Sequence, residues 1–151
     1  MGMEIRFYSK SPDYAWLSNF AEHGGFSLGG RAWRSVEHFY QAQKFEDSEM
    51  QRRIQAAETP LKARKIASNR EMSPRADWEA IKEGVMKEGL RAKFGQNRRL
   101  RKLLLDTGEA QLVHVSSSDL FWGRNEAEEG QNRLGELLAE VREELRREKG
   151  G

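Results

Sequence analysis

The sequence predicts a mainly helical α+β domain with a small N-terminal β hairpin or sheet. Two short strand-like runs flank a Gly-Gly pair near the N-terminus, and apolar residues recur at helical spacing through most of the remaining chain. The strands do not alternate with crossover helices, so a doubly wound sheet is disfavoured. At 151 residues the chain is the size of one domain, expected over residues 1–151 with its core between about 5 and 146. Hydrophobic residues make up 37% and include 4 Trp, 7 Phe and 3 Tyr, enough aromatic bulk to exclude a disordered chain.

Each element has a local signature. Ile5 and Phe7 alternate with Arg6 and Tyr8, which suits a short strand. Phe26 to Leu28 and Arg31 to Trp33 read as a hairpin around Gly29-Gly30, because a tight two-residue turn needs positive φ. Ser35 is placed to cap a helix over residues 36–45, its hydroxyl accepting from the free amides of the first turn. A helix over 49–57 precedes Thr59-Pro60, a cap and a first-position proline that open a helix over 61–67. Asp77 is placed to cap a longer helix carrying Trp78, Ile81, Val85 and Leu90, and Asn97 one over 98–105 that stops before Gly108. Gln111 to Val115 suits a strand. Leu134, Leu137, Leu138, Val141 and Leu145 mark the apolar stripe of a last helix, whose Arg/Glu-rich end is expected to be solvated.

Several chemistries are excluded at once. With no Cys there is no disulfide, thiolate nucleophile or cysteine-based metal cluster. Twenty-six basic against 24 acidic residues leave a net charge of +2, which argues against tight nonspecific nucleic-acid binding. No run approaches the roughly 18 apolar residues of a membrane span, and residues 1–10 lack the apolar stretch of a secretory leader. A cytoplasmic protein with no membrane partner is expected. Dinucleotide-binding glycines, a P-loop and H-E-x-x-H are absent. His23, His38 and His114 do not follow ligand spacing, so no metal is expected, and His114 beside Ser116 to Ser118 is a poor triad because sequence neighbours rarely reach that geometry.

The densest chemical signal runs from Trp33 to Phe45, with Trp33 and Tyr40 among its aromatic residues. On a helix Glu37, Gln41 and Lys44 follow i, i+4, i+7 spacing, which places a carboxylate, an amide and an amine on one face. That face suits a polar cleft, although by spacing alone a solvated face is the more ordinary place for Glu and Lys on a surface helix. Glu37 and Lys44 start about 10.5 Å apart along a helix axis, within reach of one sugar for two long side chains. A second cluster, Ser116 to Arg124, puts Asp119 and Trp122 in a loop after a strand, where function is common. Trp122 suits stacking on a flat base or closing the core, and Asp119 suits a sugar hydroxyl or a water. Lys62, Arg64, Lys65 and Arg70 suit phosphate or simple solvated helix charge.

Leu17-Ser18-Asn19-Phe20, Ser35 to Phe45, Lys93 to Asn97, Leu104 to Gly108, Asp119 to Gly123 and Gly130 to Gly135 together resemble the NADAR, or YbiA-like, family. The resemblance runs from about Ile5 to Arg146. It implies an N-glycosidase cutting between ribose C1 and a base nitrogen, and with the histidine spacing above one expected to use no metal and no cofactor. The implied substrates are phosphorylated ribosylaminopyrimidine intermediates of riboflavin synthesis, or ADP-ribosylated guanine in nucleic acid, so the partners are a ribosyl or ADP-ribosyl nucleotide and ADP-ribosylated DNA.

On this resemblance Glu37, Lys44 and Asp119 are the catalytic candidates. Asn19, Trp33, Tyr40, Gln41, Arg64, Lys65, Trp122 and Asn132 are the substrate-binding ones. The alternative is a module that binds ADP-ribose or a related NAD-derived nucleotide without cleaving it. Similar proteins usually carry a glutamate where this chain has His114, and a second glycine where it has Asn125.

Overall fold

Two short strands from distant parts of the chain pair in parallel: β1 (Glu4–Phe7) and β4 (Gln111–His114), with Glu4 opposite Gln111 and Phe7 opposite His114. The structure, a computed structural model, describes residues 3–22, 25–69 and 72–150. Between these strands come a 3-10 turn at Ala15–Leu17, the antiparallel hairpin β2 (Phe26–Leu28) and β3 (Arg31–Trp33), and five helices. These are α1 (Val36–Gln43), α2 (Ser48–Gln55), α3 (Pro60–Ser68), α4 (Trp78–Gln96) and α5 (Arg98–Asp106), and α6 (Arg133–Gly150) comes after β4. The α+β expectation holds, with two separate two-stranded sheets. His23 and Arg70 lie outside the described residues. Among the described residues no helix is long and apolar enough to cross a membrane.

Caps set the ends of the central helices. Ser35 Oγ accepts from the His38 amide at 3.1 Å and pairs with His38 Nδ1 at 2.7 Å, while His38 Nε2 donates to the Ala57 carbonyl at 3.0 Å. Burial lowers the His38 pKa, so the ring is neutral, with its proton on Nε2 and Nδ1 accepting from Ser35. Thr59 caps α3 ahead of Pro60, as expected. Asp77 and Asn97 do not cap through their side chains. The Asp77 carboxylate is taken by Arg75 Nε at 2.6 Å, and the Asn97 amide donates to the Lys93 carbonyl at 2.8 Å.

Ser27 stands in a G-x-S-x-G pattern, Gly25 to Gly29, but on a hairpin strand whose backbone at Ser27 is bonded to the Gln96 side chain. A nucleophile elbow needs a strand-to-helix turn instead.

Helix α1 packs against α2, α3 and α4 and buries Val36, Phe39 and Ala42. Trp33 packs edge-on to Phe39 at 5.4 Å and spends its indole N–H on the Leu28 carbonyl at 3.0 Å. Helix α6 leans on β4. Asn132, at φ 53°, accepts from the His114 amide and donates to the Leu112 carbonyl, both at 2.9 Å, and so satisfies the outer edge of β4. Gly135 permits this approach, since a Cβ there would lie 1.9 Å from the Leu112 oxygen. The charged end of α6 is not all solvated: Arg142 is buried and donates to Thr107 Oγ1 and the Ala110 carbonyl, each at 2.9 Å.

Lys93 on α4 is fully buried, and its ammonium donates to the carbonyls of Trp16 at 2.7 Å and Ser18 at 3.0 Å. The clamp holds the segment leading to Asn19 against α4. Burial lowers the Lys93 pKa from 10.5 to about 7. Between those values the unfolded chain keeps a proton that the native chain has released, so stability rises with pH across the window. Urea midpoints from pH 7 to 10 are expected to show this slope for wild type and to lose it in Lys93→Met. Equal slopes in both proteins would mean that Lys93 does not titrate there.

Candidate active site

A cleft of about 1490 Å³ opens where the C-terminal ends of β1 and β4 meet α1, α3 and the loop after β4. Helix α1 turns Glu37, Tyr40, Gln41 and Lys44 into it. Asn19 enters from the segment after the 3-10 turn, Arg64 from α3, and Asp119 and Trp122 from the loop.

The face shared by Glu37 and Gln41 is buried rather than solvated, at 3% and 5% exposure. Glu37 Oε2 accepts from Gln41 Nε2 at 2.7 Å and from Arg64 Nε at 3.0 Å. Helical i, i+4 spacing makes the first bond, and packing of α3 on α1 makes the second. The Arg64 guanidinium lies 4.6 Å from the Phe20 ring centre. The Glu37 amide donates to the Asn19 carbonyl at 3.1 Å, which stitches that wall to the first turn of α1.

Lys44 Nζ lies 6.0 Å from the Tyr40 ring centre and makes no side-chain hydrogen bond among the described residues. Burial is the main cause lowering its pKa; the Arg64 and Lys82 charges push the same way, and Glu37 and Glu79 oppose them. Trp122 Nε1 donates to the Tyr40 hydroxyl at 3.3 Å, with the rings edge-on at 5.8 Å. Burial pushes the Tyr40 hydroxyl above the usual tyrosine range, so it stays protonated. Trp122 is only 8% exposed, and so it is both a core lid and a wall of the cleft.

Asp119 Oδ1 accepts from the amides of Phe121 at 3.2 Å and Trp122 at 2.9 Å, which shapes the loop around Trp122. His114, at the end of β4, lines the cleft with its ring 5.4 Å from that of Phe7. Burial lowers its pKa, and its Nδ1 has no partner among the described residues. Asn125, also on the lining, bonds to Glu129 twice through its side chain and once through its amide, and ties down its own loop.

Three residues singled out in the sequence lie elsewhere. Trp33 belongs to the core under the hairpin, Asn132 spends its amide on β4, and Lys65 is exposed on α3 outside the cleft lining. Tyr8, Ser68 and Met86 do line the cleft, and nothing local in the sequence marks them. Among the described residues no group of three or more His, Asp or Glu is placed to hold a metal ion.

Fold and cleft together are those of a small α+β protein with an enzyme-like polar site built around a buried carboxylate and a desolvated amine. Residues 6–146 match the NADAR domain, and the chain belongs to the NADAR family. It is 44% identical to the N-glycosidase YbiA of Shigella boydii over 96% of this chain and 90% of that one. A riboflavin biosynthesis protein of Vibrio vulnificus is 38% identical over 96% of this chain and 39% of its own length. The solution structure of Escherichia coli YbiA superposes with a TM-score of 0.89 at 43% identity, covering 99% of this chain and 89% of that one.

Because Glu37 is the largest influence raising the Lys44 pKa, Glu37→Gln is expected to lower that pKa further. Reductive methylation with an isotope label, followed by NMR titration of the Lys44 signal, measures it. An unchanged or raised value would show that the two groups do not share one field.

Proposed function

We propose that this protein is a metal-independent N-glycosidase that hydrolyses the bond between ribose C1 and a base nitrogen. Its substrate is a phosphorylated ribosylaminopyrimidine of riboflavin synthesis or ADP-ribosylated guanine in nucleic acid. The observation that carries this reading is the buried Glu37 carboxylate opening into the same cleft as the desolvated Lys44 amine. The relatives named N-glycosidase and riboflavin biosynthesis protein support it. Both substrate classes present a phosphate, a ribose and a planar leaving base.

Breaking the C1–N bond leaves the electron pair on the base nitrogen, which takes up a proton, and builds positive charge on C1 and the ring oxygen. A carboxylate beside C1 lowers that barrier and can activate water. Glu37 has this role, oriented by Gln41 and Arg64 through Oε2. Lys44 offers a covalent route: its neutral amine attacks C1 as the base departs, the sugar ring opens to a Schiff base, and water then releases the sugar and restores the amine. Burial favours the neutral amine this step requires. Asp119 orients water or a sugar hydroxyl, Tyr40 and Trp122 flank the base, and Arg64 meets phosphate. Trp33, Lys65 and Asn132 have no part in this mechanism.

Mass-spectrometric turnover with chelator present, against both substrates, is the direct test. Release of ribose phosphate or of ADP-ribose names the substrate class. No release from either, with ADP-ribose binding retained, would replace this function with a non-catalytic nucleotide-binding module.

Glu37→Gln is expected to lower kcat/KM by about 10²- to 10⁴-fold, and a loss of only a few-fold would remove Glu37 as acid or base. Borohydride added during turnover is expected to trap sugar on wild type and not on Lys44→Ala. An active wild type with no trapped mass would favour direct attack by water.

A further inference from the structure

Two side-chain oxygens of the cleft have no hydrogen-bond donor. Asn19 and Gln41 both line it, at 9% and 5% exposure, and Asn19 Oδ1 and Gln41 Oε1 are buried without a partner among the described residues. The Gln41 amide is held one way round. Its Nε2 donates to Glu37 Oε2 at 2.7 Å, and turning it over would set oxygen against carboxylate. Oε1 is therefore an acceptor by necessity. Asn19 turns its Nδ2 to Met86 Sδ at 3.4 Å, a weak acceptor, and its carbonyl holds the Glu37 amide at 3.1 Å. The two free oxygens thus belong to residues bonded directly to Glu37, one through its side chain and one through its backbone. Buried polar atoms are nearly always paired, so two exceptions around one carboxylate mark a place where a ligand brings donors.

We propose that Asn19 and Gln41 accept hydrogen bonds from the ribose 2′- and 3′-hydroxyls, so that the protein selects ribosides over 2′-deoxyribosides. The inference rests on C1 of the sugar sitting against Glu37. The hydroxyl on C2, with that on C3 beside it, is then the sugar donor nearest to that carbon, whereas the linking N–H and the other N–H groups leave with the heterocycle toward Tyr40 and Trp122. The Asn19 amide, held through Nδ2 only by the weak acceptor Met86 Sδ, turns readily about its last torsion to meet a hydroxyl without backbone movement, while Gln41 Oε1 keeps the orientation its bond to Glu37 sets. A site built around a substrate hydroxyl rejects an analogue lacking it, because its own polar atoms stay unpaired. Intrinsic reactivity runs the other way: the 2′-hydroxyl withdraws electrons from C1, so a deoxyriboside loses its base more easily in water. The two effects predict opposite preferences.

The test compares kcat/KM for a riboside and its 2′-deoxy counterpart with the same base and phosphate, in wild type and in Asn19→Ala. Wild type is expected to prefer the riboside by about 10²-fold or more, and Asn19→Ala to shrink that ratio about tenfold. A ratio within one preparation does not depend on how much of the variant is folded. Cleavage of both substrates with equal or better use of the deoxyriboside would overturn the inference while leaving the N-glycosidase activity standing. Equal use of both sugars, with a large loss when the base lacks an amino group other than the linking nitrogen, would assign the acceptors to the heterocycle instead.

If neither substrate is cleaved the proposed activity fails, and binding decides the inference separately. Ribose 5-phosphate and 2-deoxyribose 5-phosphate are titrated against the wild-type protein while the Asn19 and Gln41 side-chain amide NMR signals are tracked. At least tenfold tighter binding of ribose, with both signals shifting, upholds the inference; equal affinities overturn it.

Discussion

The parallel pairing of β1 with β4 is the contact on which the cleft depends. Only four residues of each strand pair, and a two-stranded ladder of that length is marginal by itself. Its support comes from α6, whose first turn brings Asn132 to the free edge of β4 and, through Gly135, lies against the Leu112 carbonyl. The pairing ends both strands at one place, so Tyr8, His114 and the loop with Asp119 and Trp122 all arrive opposite α1. Register matters here, because a slip of one residue would exchange the buried Phe7 and Ile5 with exposed neighbours.

Within the cleft the two charged groups of α1 are treated differently. Glu37 is buried with an amide and a guanidinium on one oxygen, which offsets the cost of removing a carboxylate from water. The Lys44 amine has an aromatic ring beside it and no side-chain hydrogen bond among the described residues, and its burial favours the neutral form although Glu37 and Glu79 oppose this. Lys93 makes the contrast plain. It is buried more deeply and its pKa is lowered as well, but two backbone carbonyls take its amine hydrogens, so it serves as a clamp. The histidines divide in the same way: both ring nitrogens of His38 are used inside the protein, whereas Nδ1 of His114 is not. Unused hydrogen-bonding capacity facing a cleft, more than burial, separates the groups placed for a ligand from those placed for the fold.

Signals that act within one turn of backbone were legible in the sequence. Ser35 and Thr59-Pro60 start helices through side-chain caps, and Gly29-Gly30 and Gly108 supply positive φ at a hairpin and a helix end. The i, i+4 spacing of Glu37 and Gln41 placed them on one helix face, where a bond between them forms. The spacing left open whether that face meets solvent or a cleft, and the family motifs favoured the cleft without saying what else lines it.

What lies opposite each face was decided only by tertiary packing. Arg64 reaches Glu37 because α3 docks on α1, while its neighbour Lys65 points away. Asn132 reads as a polar motif residue, but its amide closes a strand edge that no local pattern announces. Asp77 and Asn97 have the composition of caps, but the Asp77 carboxylate meets Arg75 and the Asn97 amide turns its Nδ2 to the Lys93 carbonyl. Tyr8, Ser68 and Met86 join the cleft from three separate elements. By itself the sequence determined the elements and the sharing of helix faces, because caps, turns and periodicity act over a few residues. The tertiary structure alone decided which faces meet, because that depends on the packing of distant segments.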